Sequence, residues 1–111
     1  VLKLAKEYNV DANIRMIPLR SLDLFGYALS AEERTAAAVH VLEKIWKGTW
    51  ECYDHPGLDT PEMRNVWHIG DEDVAFSRDA VTKAFTSDKV KEIIKRRNIK
   101  LIGYKDLKIW N

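Results

Sequence analysis

Cysteine is almost absent. Cys52 stands alone, which excludes an internal disulfide framework and any zinc site built from several thiolates, and fits a reducing compartment. No apolar run approaches the ~20 residues of a transmembrane helix. No stretch joins a charged start, an apolar middle and a small-residue end in the manner of a signal peptide. The expected setting is cytoplasmic. Neither sign of charge dominates: 18 Lys plus Arg stand against 17 Asp plus Glu. That balance lacks the basic footprint of a nucleic-acid binder, so no nucleic-acid or membrane partner is expected. The 3 histidines are not spaced as H-x-x-H or H-E-x-x-H, so they form no metal-ligand motif, and neither His40 nor His68 is assigned to a metal. Repeats and Gly/Ser-rich linkers are missing too. Residues 1–111 therefore read as one domain, or as one portion of a larger one.

A hydrophobic content of 46% is enough for a single core. Val1 to Tyr8 has the pattern of an amphipathic helix, so the chain reads as starting inside an element. Ala12 to Ile17 alternates in the manner of a short strand that Pro18 stops. Leu19 to Leu29 has no clean period. Ser30-Ala31-Glu32-Glu33 matches a capping box, and the apolar spacing after it predicts a helix through Trp46 with Gly48 as its stop. Thr49 to Tyr53 reads as a strand. It ends in Asp54-His55-Pro56-Gly57, which continues no regular element. A long loop is expected from Leu58 to Asp73, then helices over Arg78 to Phe85 and Asp88 to Arg97, the second capped by Ser87. Ile99 to Ile102 reads as a last strand. Strand, helix, strand, helix, strand argues for an α/β fold with parallel pairing. A complete (β/α) barrel takes about 250 residues, so only part of one fits this length.

Several segments, in order along the chain, resemble the YdjC family of carbohydrate deacetylases. Gly48 to Gly57, with Glu51 and the closing His55-Pro56-Gly57, is similar to that family's late strand, although Tyr53 and Asp54 add a residue to the usual spacing. Arg78-Asp79-Ala80-Val81, Thr86 to Val90 and Ile99 to Leu107 look like its closing stretch. Leu4 to Val10 with Ile14 to Pro18 is similar to a helix and strand in which an Arg precedes a Pro-containing loop. The resemblance implies the last β/α units of a partial, TIM-barrel-like (β/α) barrel. It implies hydrolysis of N-acetyl groups on amino sugars or oligosaccharides. It also implies a divalent metal, Mg or Zn, held by an Asp and two His on earlier strands whose motifs are absent here. No residue of this chain is then a metal ligand, and the chain alone is expected to be inactive.

Amide hydrolysis needs a base for the attacking water and an acid for the leaving amine. His55, directly after a predicted strand and braced by Pro56-Gly57, is the candidate for a catalytic role, against the alternative of a histidine that only hydrogen-bonds within its loop. Arg15 is a second catalytic candidate, able to orient a carboxylate or a substrate oxygen, or else a surface ion-pair partner. Glu51 and Asp54 are candidate acceptors for the His55 ring, or simply solvated strand-end acids. Trp50, Tyr53, Trp67 and Phe76 would suit a sugar face, though aromatics in a short chain more often fill the core, and Trp67 is the substrate-binding candidate among them. Cys52, in a strand, is expected to be buried rather than nucleophilic. A rival reading is a non-catalytic α/β module whose open sheet edge is covered by a second copy, giving a homodimer.

Overall fold

The structure, a computed structural model, describes residues 2–10 and 19–107. It is a helix-dominated α/β arrangement with one small parallel sheet. Helix α1 spans Leu2–Glu7, strand β1 Arg20–Ser21, helix α2 Ala31–Lys44, strand β2 Trp50–Glu51, helix α3 Val74–Thr86 and helix α4 Asp88–Arg96. Short 3₁₀ turns lie at Met63–Asn65 and Tyr104–Asp106. Among the described residues the sheet is β1 beside β2, parallel, with Arg20 opposite Trp50 and Ser21 opposite Glu51. Parallel neighbours need a crossover, and α2 supplies it.

α2 begins where its capping chemistry puts it. The Ser30 hydroxyl accepts from Glu33 N–H at 3.2 Å, and the Glu33 carboxylate accepts from Ser30 N–H at 2.9 Å. The Ser30 N–H, with the Ser30 hydroxyl and Leu29 N–H that also donate to this carboxylate, holds the Glu33 carboxyl below its ordinary range. The helix ends before the predicted Trp46. Its terminal carbonyls are taken from outside: Arg97 Nη2 donates to Ile45 C=O at 2.8 Å and Trp50 Nε1 to Trp46 C=O at 3.1 Å. Gly48, at φ +153°, completes the turn into β2.

The core lies where α2, α3 and α4 meet. Ala38 of α2 and Ala84 of α3 are 0% exposed, and side chains this small let the helix backbones approach closely. Leu42, Val81, Val90 and Ile93 complete the cluster together with Leu24 and Phe25. These last two come from the stretch without periodicity. Asp23 explains their burial: its Oδ1 accepts from Phe25 N–H at 3.0 Å and Gly26 N–H at 2.9 Å, closing a turn that points Leu24 and Phe25 inward. Phe25 then meets Phe85 with ring centroids 5.2 Å apart. Arg34 of α2 locks this turn to α3. Its Nε donates to Ala28 C=O at 3.0 Å, Nη1 to Ser77 C=O at 3.0 Å and Nη2 to Ser77 Oγ at 2.9 Å, with the guanidinium 5.6 Å from the Phe25 ring centre.

Three expectations are corrected. Ile99 to Ile102 is not a strand: Asn98 turns left-handed at φ 52°, and Ile99 N–H returns to Ile94 C=O at 2.9 Å. Ile99 thereby packs against the helical core, and no strand lies alongside Leu101 and Ile102 among the described residues. α3 starts at Val74, a full turn before the predicted Arg78, because the acidic, Gly-containing run before it reads as loop although Val74 and Ala75 are buried. β2 is only two residues long, since β1 leaves the ladder after Leu22 N–H bonds Glu51 C=O at 2.8 Å. The predicted strand Ala12 to Ile17 lies outside the described residues. Ser87 does cap α4, accepting from Val90 N–H at 3.3 Å. No helix of the described residues is long and apolar enough to cross a membrane.

The Asp23 turn carries a pH signature. Its two backbone donors hold the carboxyl below its ordinary value of 3.8, so the folded-state pKa is depressed. The stabilisation is complete above the unfolded pKa and is lost as pH falls through the lower folded value. Thermal unfolding measured from pH 6 down to pH 2 should show Asp23→Asn, which retains an acceptor oxygen, losing less stability across the acid limb than the native chain.

Candidate functional site

The Asp54-His55-Pro56-Gly57 segment leaves β2 at the carboxyl end of a parallel strand, the end at which α/β folds gather their chemistry. It has no regular structure of its own, and α3 positions it. Gly57 N–H donates to Arg78 C=O at 3.1 Å, and the Thr82 hydroxyl donates to Gly57 C=O at 2.5 Å. A side chain at Gly57 would place its Cβ 3.1 Å from Arg78 Cβ, a tight approach that favours glycine here. Two residues earlier, the Asp54 carboxylate accepts His55 N–H at 2.7 Å, fixing the backbone of the histidine.

A cleft of about 100 Å³ opens between this loop and α3. His55, Asp54 and Asp71 line it from the loops, and Ser77 and Arg78 from α3, over an apolar floor of Val74 and Val81. Asp71 is carried by a tight turn: His68 and Asp71 exchange backbone bonds of 3.3 and 2.9 Å around Gly70 at φ +89°, and His68 Nε2 lies 3.6 Å from Asp71 Oδ2. The loop leading there is braced by Arg64, whose forked guanidinium holds Asp59 at 2.6 and 3.0 Å. This fork keeps the Asp59 carboxyl low.

His55, the catalytic candidate of the sequence reading, is exposed and lines the cleft. Glu51 does not reach it. The Tyr104 hydroxyl donates to Glu51 Oε1, tying the C-terminal 3₁₀ turn to β2 and raising the Tyr104 pKa. Asp54 serves the backbone of His55 and not its ring. Trp67 is 61% exposed on the loop and is not among the residues that line the cleft. Tyr53 and Phe76 are exposed as well, and Trp50 packs under Arg20, whose guanidinium carbon is 5.5 Å from the indole centre. Arg15 lies outside the described residues. Sequence reasoning missed Asp71, Ser77 and Arg78 as neighbours of His55, because only the docking of α3 brings them there. The one available signal was the Arg78 of the closing stretch.

His40 lines a different, larger groove of about 480 Å³ between α2 and α4, with Val39, Glu43, Ile93 and Arg96. Glu43 and Arg96 are already paired there at 2.8 Å. The smaller cleft is the better candidate, since it combines a histidine, two carboxylates, a hydroxyl and a guanidinium at a strand's carboxyl end. Among the described residues no group of three His, Cys, Asp or Glu side chains is placed to hold a metal ion.

Cys52 is exposed and not buried as expected, because β1 gives β2 no partner beyond Glu51. Its thiol pKa is nonetheless raised, first by desolvation and then by the carboxylates of Asp54 and Asp23, which leaves little thiolate at neutral pH. Alkylation by iodoacetamide should therefore have its midpoint above that of a free thiol, and Asp54→Asn should lower the midpoint only in part, desolvation being the larger cause. The loop anchor makes a second prediction. Thr82→Val, which deletes the hydroxyl that holds Gly57 C=O, should cost about 1 kcal/mol in chemical unfolding. Gly57→Ala, which must push Arg78 aside, should cost about 1 to 3 kcal/mol.

Compared with protein-family models, with curated proteins and with solved structures, the chain matches none.

Proposed function

We propose that this chain forms the closing β/α units of a (β/α) barrel carbohydrate deacetylase, a cytoplasmic hydrolase that removes N-acetyl groups from amino sugars or oligosaccharides, with His55 in its catalytic site. The observation that carries this reading is the position of His55: in the loop that follows the parallel strand β2, anchored to α3, and lining a small polar cleft.

An amide yields to hydrolysis only if water loses a proton as it attacks and the amine gains one as the C–N bond breaks. Imidazole is the side chain that exchanges a proton near neutral pH, and His55 is the group of the cleft suited to that transfer. The Asp54 bond and the Gly57 anchor limit where the ring can go, and proton transfer depends on such placement. The divalent metal implied by the resemblance finds no ligand set among the described residues, so no step is assigned to it here. Arg15 remains a proposed second catalytic residue, and Trp67, on the loop outside the cleft, a proposed stacking surface for a sugar ring further along an oligosaccharide.

Acetate release from an N-acetylated chito-oligosaccharide by the protein as its cell makes it is the direct test. His55→Ala should lower kcat/KM by about 100-fold or more while leaving the thermal midpoint within a few degrees. A rate indifferent to this substitution would sink the proposal.

One observation favours a second reading. The two-stranded sheet leaves an unpaired outer edge on each strand among the described residues, and such edges recruit a further strand. In that reading the chain is a non-catalytic module that forms a homodimer through an edge. A dimer in light scattering at micromolar concentration, without acetate release, would establish it over the first.

A further inference from the structure

Ser77 joins the Arg34 lock to the cleft. Arg34 is a permanent cation, and its Nη2 donates to Ser77 Oγ at 2.9 Å, so the hydroxyl oxygen is engaged as an acceptor. Its own hydrogen must then be directed elsewhere. A helical hydroxyl commonly returns it to the carbonyl four residues back, as Thr35 does to Ala31 C=O at 2.7 Å. Ser77 makes no such bond: Asp73 C=O receives the Ser77 backbone N–H at 2.9 Å, and among the described residues no acceptor holds the Ser77 hydroxyl hydrogen. Ser77 is among the residues that line the cleft that holds His55, so its O–H, once turned toward the cleft, would meet a ligand there. A donor whose oxygen is already bound to a cation is the stronger for it.

The cleft limits what the ligand is. Its volume of about 100 Å³ is small, which suits an acetyl-sized group better than a whole sugar ring. Its charges favour a neutral group. Among the described residues the lining carries one guanidinium, Arg78, and two carboxylates, Asp54 and Asp71, an excess of negative charge that would repel an anion. We propose that the cleft is an acyl subsite, in which the Ser77 hydroxyl, backed by Arg34, donates a hydrogen bond to the carbonyl oxygen of a neutral N-acetyl group and discriminates against free acetate. The subsite deepens the deacetylase reading and rests on it for the identity of the acyl group. It places the scissile carbonyl beside His55 and favours release of the charged product. Ser77 and Arg34 are positioning residues in this scheme, and the proton transfer belongs to His55.

The test is a titration of the ¹⁵N-labelled protein with N-acetylglucosamine and, separately, with sodium acetate at equal concentration. The sugar should shift the backbone signals of His55, Ser77 and Arg78 saturably, and acetate should leave them in place. Ser77→Ala should bind the sugar about threefold to tenfold more weakly, as expected for one lost donor. Ser77→Thr, which keeps the hydroxyl, should bind within about twofold of the native chain. Ser77→Ala retains the Arg34 bonds to the carbonyls of Ala28 and Ser77, which preserves the junction of α2 and α3. Absence of sugar binding, equal binding by Ser77→Ala, or equal shifts with acetate would overturn the subsite. The two ideas fail separately. Hydrolysis that needs His55 but ignores Ser77→Ala removes the subsite and leaves the deacetylase; Ser77-dependent binding in a protein that releases no acetate does the reverse.

Discussion

The cleft depends on one constraint, that α3 is held on two sides at once. On its inner side Val81 and Ala84 pack among α2 and α4, with Ala38 and Ala84 fully buried at the contact. On its outer side the backbone of Arg78 and the hydroxyl of Thr82 hold Gly57. A loop without a ladder or helix of its own would otherwise sample many arrangements, at a cost of roughly 1 to 2 kcal/mol per residue to order its backbone. Here it borrows the order of a helix that the core already fixes.

Arg34 extends that logic. One side chain closes the Asp23 turn region against α3, covers the Phe25 ring and reaches the Ser77 hydroxyl at the edge of the cleft. Lysine presents its donors from a single nitrogen and does not reproduce the spread of Nε, Nη1 and Nη2 used here. Core packing and cleft chemistry thus share a residue, which makes the polarity of the cleft a consequence of how the helices meet. The charges elsewhere on the surface work locally. Lys83 pairs with Asp79 within α3, and Arg96 with Glu43 between exposed helix faces, where such pairs contribute little.

Local chemistry was legible wherever it was self-contained. Ser30 with Glu33, and Ser87 before Asp88, satisfy orphan amide donors within three residues, so the starts of α2 and α4 can be read from short words of sequence. The strand reading of Ile99 to Ile102 failed because a β-strand needs a neighbour: after Asn98, Ile99 packs against the helical core, and Leu101 and Ile102 are left exposed. Leu24 and Phe25 were missed since their burial follows from the Asp23 turn and not from any period. At the site, His55 and the Pro56-Gly57 brace were visible, while Asp71, Ser77 and Arg78 were not recognised as its neighbours.

By itself, the sequence determined the starts of α2 and α4, the Gly48 turn, the absence of a metal site built from several thiolates and the place of His55 after a strand. Each of these rests on interactions reaching four residues or fewer, or on composition alone. Tertiary structure alone decided that Gly57 lies against Arg78, that Arg34 reaches Ser77 and that a polar cleft forms beside His55. Those contacts join residues distant along the chain, and they exist only after the apolar faces of α2, α3 and α4 have chosen one mutual packing.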